Sequence, residues 1–577
     1  MDDAPVLRNQ QAPAPPDTPE SRAAVDTLGE AAPQPAAPHT TRFDYKWVAL
    51  TVVLFGTVMT ILDATVVNVA LPTLQSQFNS RSYNDISWVV TAYLLAQGAV
   101  IPVTGWITDR FGTKRIYLLT LVLFTLASAL CGLAWNLPAL IIFRVLQGIG
   151  GGMIMPIGMT IILRAVGPSQ MGRVMGIFGV PMLLGPAIGP VLGGWLVQDF
   201  TWRLIFYINL PIGVAALIAA YRYLRETPYS HTMKLDWIGF MIGTPAVVAL
   251  MYGVDRSTEL GWTSPLVLSL LAIAVVLFIA FIWRQRTTSD PLLHLELFRD
   301  GTFTASVLLG FVLVTALFGV MLLLPLYLQQ VHGYDALHTG LALTPQAVTA
   351  ALFMPIGGFL TDRIGPRPVV MVGLGLLVVG SVLLAQLHVD SPSTLVVAAL
   401  ALRGVAMGFA MMPGMSAGLA RIPPHLTSRA SSITNTAQRV GSSIGIAVLV
   451  TVLAAQVRPA AAQAPCDPPP AVLSSPVTHR IAGVPATTQL TADQVCTVLR
   501  AQAAASSQNQ RGEAAPPSTG DPAVDSFLKS FGDRALTIAF DRTFAFTAII
   551  TAFGFIPALF LRKPPKSAGA RPALEAA

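Results

Sequence analysis

Asp63 is the one full charge in TVVLFGTVMTILDATVVNVALPTLQ, Thr51 to Gln75, and no other ionisable acid or base lies between Lys46 and Arg81. A charge held in a bilayer is expensive, so such a group faces the bundle interior and works there, with a nearby opposite charge as its partner. Arg144, in FRVLQGIGGG (Phe143 to Gly152), is that candidate partner. At 1.5 Å per residue Asp63 lies about 12 Å below the outer end of its run at Leu71, and Arg144 about 9 Å beyond Pro138, where its run enters from the same side. The two can be neighbours. Burial raises a carboxylate's pKa and a close guanidinium lowers it, so small rearrangements can move such a group across the ambient pH. That is what a proton carrier needs. The alternative is a static salt bridge that only pins two helices.

A second acid–base pattern sits in a turn. IPVTGWITDRFG (Ile101 to Gly112) carries Asp109 and Arg110 between Gly105 and Gly112, with Lys114 and Arg115 following, and it recurs as MPIGGFLTDRIG (Met354 to Gly365) with Asp362 and Arg363. The offset is 362 − 109 = 253 residues. Anchoring of a turn by basic residues explains neither the acid nor the repeated glycines. Arg173, Gly185 and Gly189 likewise recur as Arg429, Gly441 and Gly445, and Arg144 has a looser counterpart in Arg403. The chain therefore reads as two parallel six-helix halves with spans seven and eight inserted between them. In GPAIGPVLGG, Gly185, Gly189 and Gly193 recur every four residues and leave one helix face bare, while Pro186 and Pro190 favour a bend.

Other chemistries find little support. GIGGG (Gly148 to Gly152) follows no strand, lies inside an apolar run, and no Lys-Ser or Lys-Thr pair follows a glycine, so it reads as helix packing rather than a phosphate-cradling loop, and a pump driven by a P-loop in this chain is ruled out. The eight histidines fall in loops or at helix ends, no HExxH occurs and no two acids share a span, which argues against a metal or carboxylate-dyad enzyme. Methionines at 153, 155 and 159 and at 407, 411, 412 and 415 suit a promiscuous pocket and ordinary packing equally.

These residues need a membrane around them. The chain of 577 residues is 53% hydrophobic and 11% charged, with a mean hydropathy of +0.62, against roughly 25% charged in soluble domains. Its +7 net charge sits in short clusters rather than one stripe, which signals topology and not nucleic acid. Apolar runs occur at roughly 47–71, 86–107, 115–135, 138–161, 172–198, 203–223, 236–254, 264–283, 302–328, 338–360, 368–388, 393–416, 433–456 and 537–561. With a cytoplasmic N-terminus, Arg110, Lys114, Arg115, Arg164, Arg173, Arg222, Arg225 and their later equivalents all fall on inner loops, as the positive-inside rule requires. The first residues, rich in Pro and Ala, read as a disordered cytoplasmic tail. The connection 457–535 lies outside and holds Cys466 and Cys496; an oxidising exterior would permit a disulfide there, with two free thiols as the alternative. Cys131 reads as a small packing residue.

Together the Asp-Arg loop, FRVLQGIGGG and GPAIGPVLGG resemble the signature motifs of the major facilitator superfamily. LDATVVNVALP, WRLIFYINLPIG and the count of fourteen runs resemble its drug/proton antiporter branch of the EmrB/QacA type, over nearly all of residues 43–565. The resemblance implies an all-α integral membrane protein of the major facilitator fold, with a six-helix bundle at 43–226, two inserted helices at 227–289, a second bundle at 290–565, and tails at 1–42 and 566–577. It implies a transporter, not an enzyme. By resemblance, Asp63 and Arg144 serve proton coupling, and Gly105, Asp109, Arg110, Gly112, Asp362 and Arg363 form a latch that holds the outward-facing state. Gly185, Pro186, Gly189, Pro190 and Gly193 then form the antiporter motif, which favours export. The latch departs from the pattern at Ile107, where Leu is usual, and at Thr113, where a basic residue is common.

The function implied is proton-coupled export of amphipathic organic compounds from a bacterial inner membrane, with both termini cytoplasmic, protons as coupling ion and no other cofactor or metal. A periplasmic adaptor protein is a conceivable partner because some members of the family have one; nucleic acid is not. Export of a lipid or endogenous metabolite is the alternative on the same scaffold. A channel needs neither antiporter motif nor repeated latch.

Overall fold

In the computed structural model the apolar runs are helices. It describes residues 44–80, 83–166, 170–227, 233–389, 391–482, 490–509 and 521–563; the expected tails at 1–42 and 566–577 lie outside them. The long helices are α1 Tyr45–Gln77, α2 Tyr83–Phe111, α3 Thr113–Gly132, α4 Leu137–Ala165, α5 Met171–Asp199, α6 Asn209–Tyr223, α7 Trp237–Leu260, α8 Pro265–Thr287, α9 Gly301–Gln330, α10 Ala336–Ile364, α11 Pro366–Leu384, α12 Ser393–Leu419, α13 Thr427–Gln463 and α14 Pro522–Phe553. No strand occurs among the described residues. Thirteen are long and apolar enough to cross a membrane, α6 together with the short helix Leu204–Tyr207, and α5 makes a fourteenth as two segments bent by 41°.

Several helices start at a side chain that satisfies their free N–H groups. Asn136 accepts from Ala139 N at 2.8 Å, Asp236 from Gly239 N at 3.0 Å, and Asp300 from Thr302 N and Phe303 N at 2.8 and 2.9 Å. Once started, the helices are apolar nearly all round, so polar sequence does not say which face turns inward. Small residues decide it, because in lipid close approach replaces the hydrophobic effect as the packing force. In α4, a Cβ at Gly148 would lie 2.6 Å from the Tyr93 carbonyl, one at Gly152 2.7 Å from the Gln97 carbonyl, and one at Gly150 2.8 Å from Phe124 N. GIGGG is therefore the strip that seats α4 between α2 and α3.

In the first group of helices α4 packs on α2 and α3, and α3 on α6; in the second α12 packs on α10 and α11, and α13 on α9 and α14. The groups meet where α5 lies along α10 and where α13 crosses α2 and α4. The inserted α7 and α8 pack on each other, and α7 covers α2 and α13. Val275, Val276, Ile279 and Trp283 of α8 remain exposed, as suits a peripheral, lipid-facing helix.

The last two helices run beyond their apolar centres: 433–456 and 537–561 mark the oily parts of Thr427–Gln463 and Pro522–Phe553, and hydropathy is blind to the remainder. Their extensions pack with Ala492–Asn509 around Ala464, Val495, Leu499, Phe527 and Phe531. The connection 457–535 thus has a small core of its own. Cys466 and Cys496 are disulfide-bonded across it, their Cα atoms 5.9 Å apart.

Candidate functional site

Asp63 of α1 and Arg144 of α4 meet in the interior of the first group. Arg144 Nη1 donates to Asp63 Oδ2 at 2.7 Å, and neither side chain has any exposed surface. Two amides complete the carboxylate's shell: Gln147 Nε2 donates to Oδ1 at 2.8 Å and Asn209 Nδ2 at 3.0 Å. Gln147 Oε1 in turn accepts from Arg144 Nη1 at 2.7 Å, and Asn209 Nδ2 also reaches Ser128 Oγ at 3.0 Å. The guanidinium is held from behind, with Nε donating to the Val89 carbonyl at 3.0 Å and its carbon 3.8 Å above the Tyr93 ring. Four helices, α1, α2, α4 and α6, therefore fix one ion pair. Such a shell offsets much of the desolvation cost that makes a buried pair marginal.

Sequence reasoning placed Asp63 and Arg144 at matching depths but did not single out Gln147 or Asn209. Gln147 was detectable in principle, since it stands three residues after Arg144 on the same helix face. Asn209 had a weaker signal, one amide in an apolar run before Pro211. Arg403, the looser counterpart of Arg144, is also fully buried, yet it reaches the Ser381 hydroxyl and the Ala316 carbonyl instead of an acid.

GPAIGPVLGG packs directly against the stretch that carries Asp63. A Cβ at Gly185 would collide with Ile61 and one at Gly189 with Thr65, while at Gly193 it would lie 3.0 Å from the Val66 carbonyl. The glycine ladder thus holds α5 against α1 on either side of the carboxylate in register. Pro190 is half-buried; the side chain of Pro186 lies outside the described residues.

At one end of the bundle the two Asp-Arg copies close the seam between the groups. Asp109, buried at the end of α2, accepts from Arg429 Nε at 3.0 Å and Ser428 Oγ at 2.5 Å in the first turn of α13, and from Arg164 Nη2 of α4 at 3.2 Å. Arg429 also donates to the carbonyls of Pro291 and Leu292 at 2.6 and 2.7 Å. In the second copy Asp362 accepts from the backbone N–H groups of Gly172 and Arg173, at 2.8 and 2.9 Å, in the first turn of α5. Each aspartate thus reaches the N-terminus of a helix in the other group, where the helix dipole favours negative charge. Gly105 permits the approach: a Cβ there would lie 2.9 Å from Arg429 Cδ and 3.1 Å from the Ser428 carbonyl.

Gly112 and Gly365 occupy matching turns with φ of 97° and 98°, a conformation that favours glycine. Arg110 makes no ion pair among the described residues, and Arg363 lies over the Phe359 ring at 4.5 Å. The acid contacts across the seam therefore fall on Ser428, Arg429 and the Gly172 and Arg173 N–H groups, with Arg164 bracing Asp109 from within its own group, rather than on the arginine next to each aspartate. Close to this cluster, burial and then the charge of Arg429 hold His294 below the ordinary histidine range.

The profile of the Major Facilitator Superfamily matches residues 53–446. The Multidrug resistance protein B homolog of Mycobacterium tuberculosis (strain ATCC 25618 / H37Rv) is 39% identical over 414 residues, covering 70% of this chain and 76% of that protein. Multidrug resistance protein Stp of the same strain is 34% identical over 401 residues, covering 69% and 74%. Among solved structures, the human organic anion transporter MFSD10 (TETRAN) superposes with a TM-score of 0.52 at 17% identity, over 73% of this chain and 94% of that one, a likeness of fold. The chain belongs to the major facilitator superfamily, as a multi-pass membrane transporter related to multidrug resistance proteins.

Proposed function

We propose that the chain is a proton-coupled antiporter that exports amphipathic organic compounds by alternating access. The observation that carries this reading is the fully enclosed Asp63–Arg144 pair at 2.7 Å. Its carboxylate is the group that takes and gives the proton. Protonation cancels the attraction that holds Arg144, and a conformation with Asp63 hydrated then gains relative stability. Gln147 and Asn209 keep the carboxylate oriented, and the Gly185–Gly193 ladder transmits its movement to α5.

On the positive-inside rule the Asp109 and Asp362 end is cytoplasmic, together with both termini. The described conformation is then closed towards the cytoplasm, with the two aspartates as its latch. Residues 43–226 and 290–565 are the halves that rock against one another, in the inner membrane of a bacterium. The relationship to multidrug resistance proteins supports toxic amphiphiles as substrates, and a lipid or endogenous metabolite is the competing cargo. Growth of cells with and without the protein, against a panel of toxic compounds, identifies substrates; uptake of a hit into inverted vesicles under an imposed pH gradient tests coupling. Uptake that persists unchanged when the gradient is collapsed overturns the reading.

A further inference from the structure

Ser431, Asn435 and Arg439 of α13 lie four residues apart and share one stripe. Ser431 Oγ donates to the Pro156 carbonyl of α4 at 2.8 Å and Asn435 Nδ2 lies 4.0 Å from Met159 Sδ, so the stripe faces the first half of the molecule. A different face is fixed to α9, where Thr315 Oγ1 donates to the Gly441 carbonyl at 3.1 Å and a Cβ at Gly441 would lie 3.0 Å from Phe311. Arg439 therefore looks across the seam. Twelve residues beyond Thr427, it lies about 18 Å along α13 from the end closed by Asp109 and about 9 Å inside the oily part of that helix, which starts at 433.

Arg144 and Arg429 each have a carboxylate. Arg439 has none among the described residues; Tyr93 of α2, the ring stacked under Arg144, is an uncharged phenol and supplies no counter-charge. It is half-buried rather than enclosed. A guanidinium inside the membrane calls for a counter-charge, and its planar fork suits a carboxylate, sulfonate or phosphate. Transporters of this architecture bind cargo near the midplane between their halves. We propose that Arg439 is the docking point for an anionic group on the transported compound, so that the cargo is an amphipathic acid. The assignment rests on the chain being an exporter whose substrate path runs between the halves.

The test uses the full chain in phosphatidylcholine nanodiscs and three probes with one ring system and different charge: naphthalene-2-sulfonate, 2-naphthol and (2-naphthyl)trimethylammonium. Wild-type protein is expected to bind the sulfonate best. Arg439→Gln should weaken sulfonate binding at least about tenfold, the loss of one charge-assisted hydrogen bond, and leave the naphthol unchanged. Arg439→Lys, which keeps the charge, should retain most of the preference and guards against a folding defect in the Gln variant. Preference for the ammonium probe, equal sulfonate binding by wild type and Arg439→Gln, or binding of none of the three overturns the assignment and leaves proton-coupled export standing. Sulfonate binding that depends on Arg439 without pH-driven transport supports the assignment and removes the proton coupling from the export reading. Repeating the titration with phosphatidylglycerol in the disc separates two sources of the anion: competition identifies a lipid headgroup, undiminished binding a soluble acid, and both accord with an anion site.

Discussion

Replacing Asp63 with Asn removes the charge while nearly keeping the shape, and the surrounding donors set the cost. The carboxylate accepts from Arg144, Gln147 and Asn209 at 2.7, 2.8 and 3.0 Å. An asparagine offers one oxygen and two N–H donors, so at least one of these three donors comes to face another donor. The Arg144 guanidinium remains buried without a counter-ion. Removing one partner of a buried pair costs about 3–5 kcal/mol, offset in part by the contacts Arg144 keeps to the Val89 carbonyl, Gln147 and the Tyr93 ring. A net of about 3 kcal/mol shifts a two-state equilibrium by a factor of roughly 150. The variant should therefore reach the membrane folded but leave the described conformation, as a molecule with Asp63 permanently protonated would. In reconstituted vesicles it should lose substrate accumulation driven by a pH gradient, while downhill exchange of substrate survives. Asp63→Glu, which can still carry a proton, should restore part of the coupled rate. Accumulation by Asp63→Asn at the wild-type rate would refute the coupling role and leave a static salt bridge.

Asp109→Asn should leave the protein folded and able to bind substrate but slow its turnover, since the ion pairs to Arg429 and Arg164 across the closed end are lost; unchanged transport in vesicles would reduce the loop to an anchored turn. Gly105→Val places a branched side chain against Arg429 and the Ser428 backbone, so alkylation of a Ser428→Cys reporter should rise, and no change in labelling would mean that the closed end does not depend on this approach. Non-reducing peptide mapping should recover Cys466 and Cys496 as one linked pair, and reduction should weaken the outer loop by about 3–4 kcal/mol; two free thiols in the native protein would remove the disulfide. At Asp300 burial pushes the carboxyl up, but the Phe303 N–H and Arg421 outweigh it and hold the group below its ordinary value. Its stabilising effect is therefore present above the ordinary carboxylate range and lost as pH falls through the depressed value. Asp300→Ala should lower protection of the Thr302 and Phe303 amides by about 1 kcal/mol at neutral pH, a difference that vanishes in acid; equal protection at neutral pH would dismiss the cap.

By itself the sequence determined the spans, the repeat and the depth of the central pair. Apolar runs are read along one dimension, a helix rises by a constant amount per residue, and the 253-residue offset needs no contact to be seen. Asp63 and Arg144 could thus be levelled against each other from two helix ends. Tertiary structure alone decided which neighbours share that level. Gln147 and Asn209 are uncharged amides in oily helices whose apolar faces all look alike, so nothing in their spacing reveals the carboxylate they turn towards. The same holds around Asp109, where positive-inside counting marked Arg164 and Arg429 only as loop charges. Their bonds to Asp109 span 55 and 320 residues and arise from the lateral placement of α2, α4 and α13. That placement is set by glycines such as Gly105 and Gly148, whose missing side chains let backbones touch, and a missing side chain acquires meaning only beside the helix that fills its space.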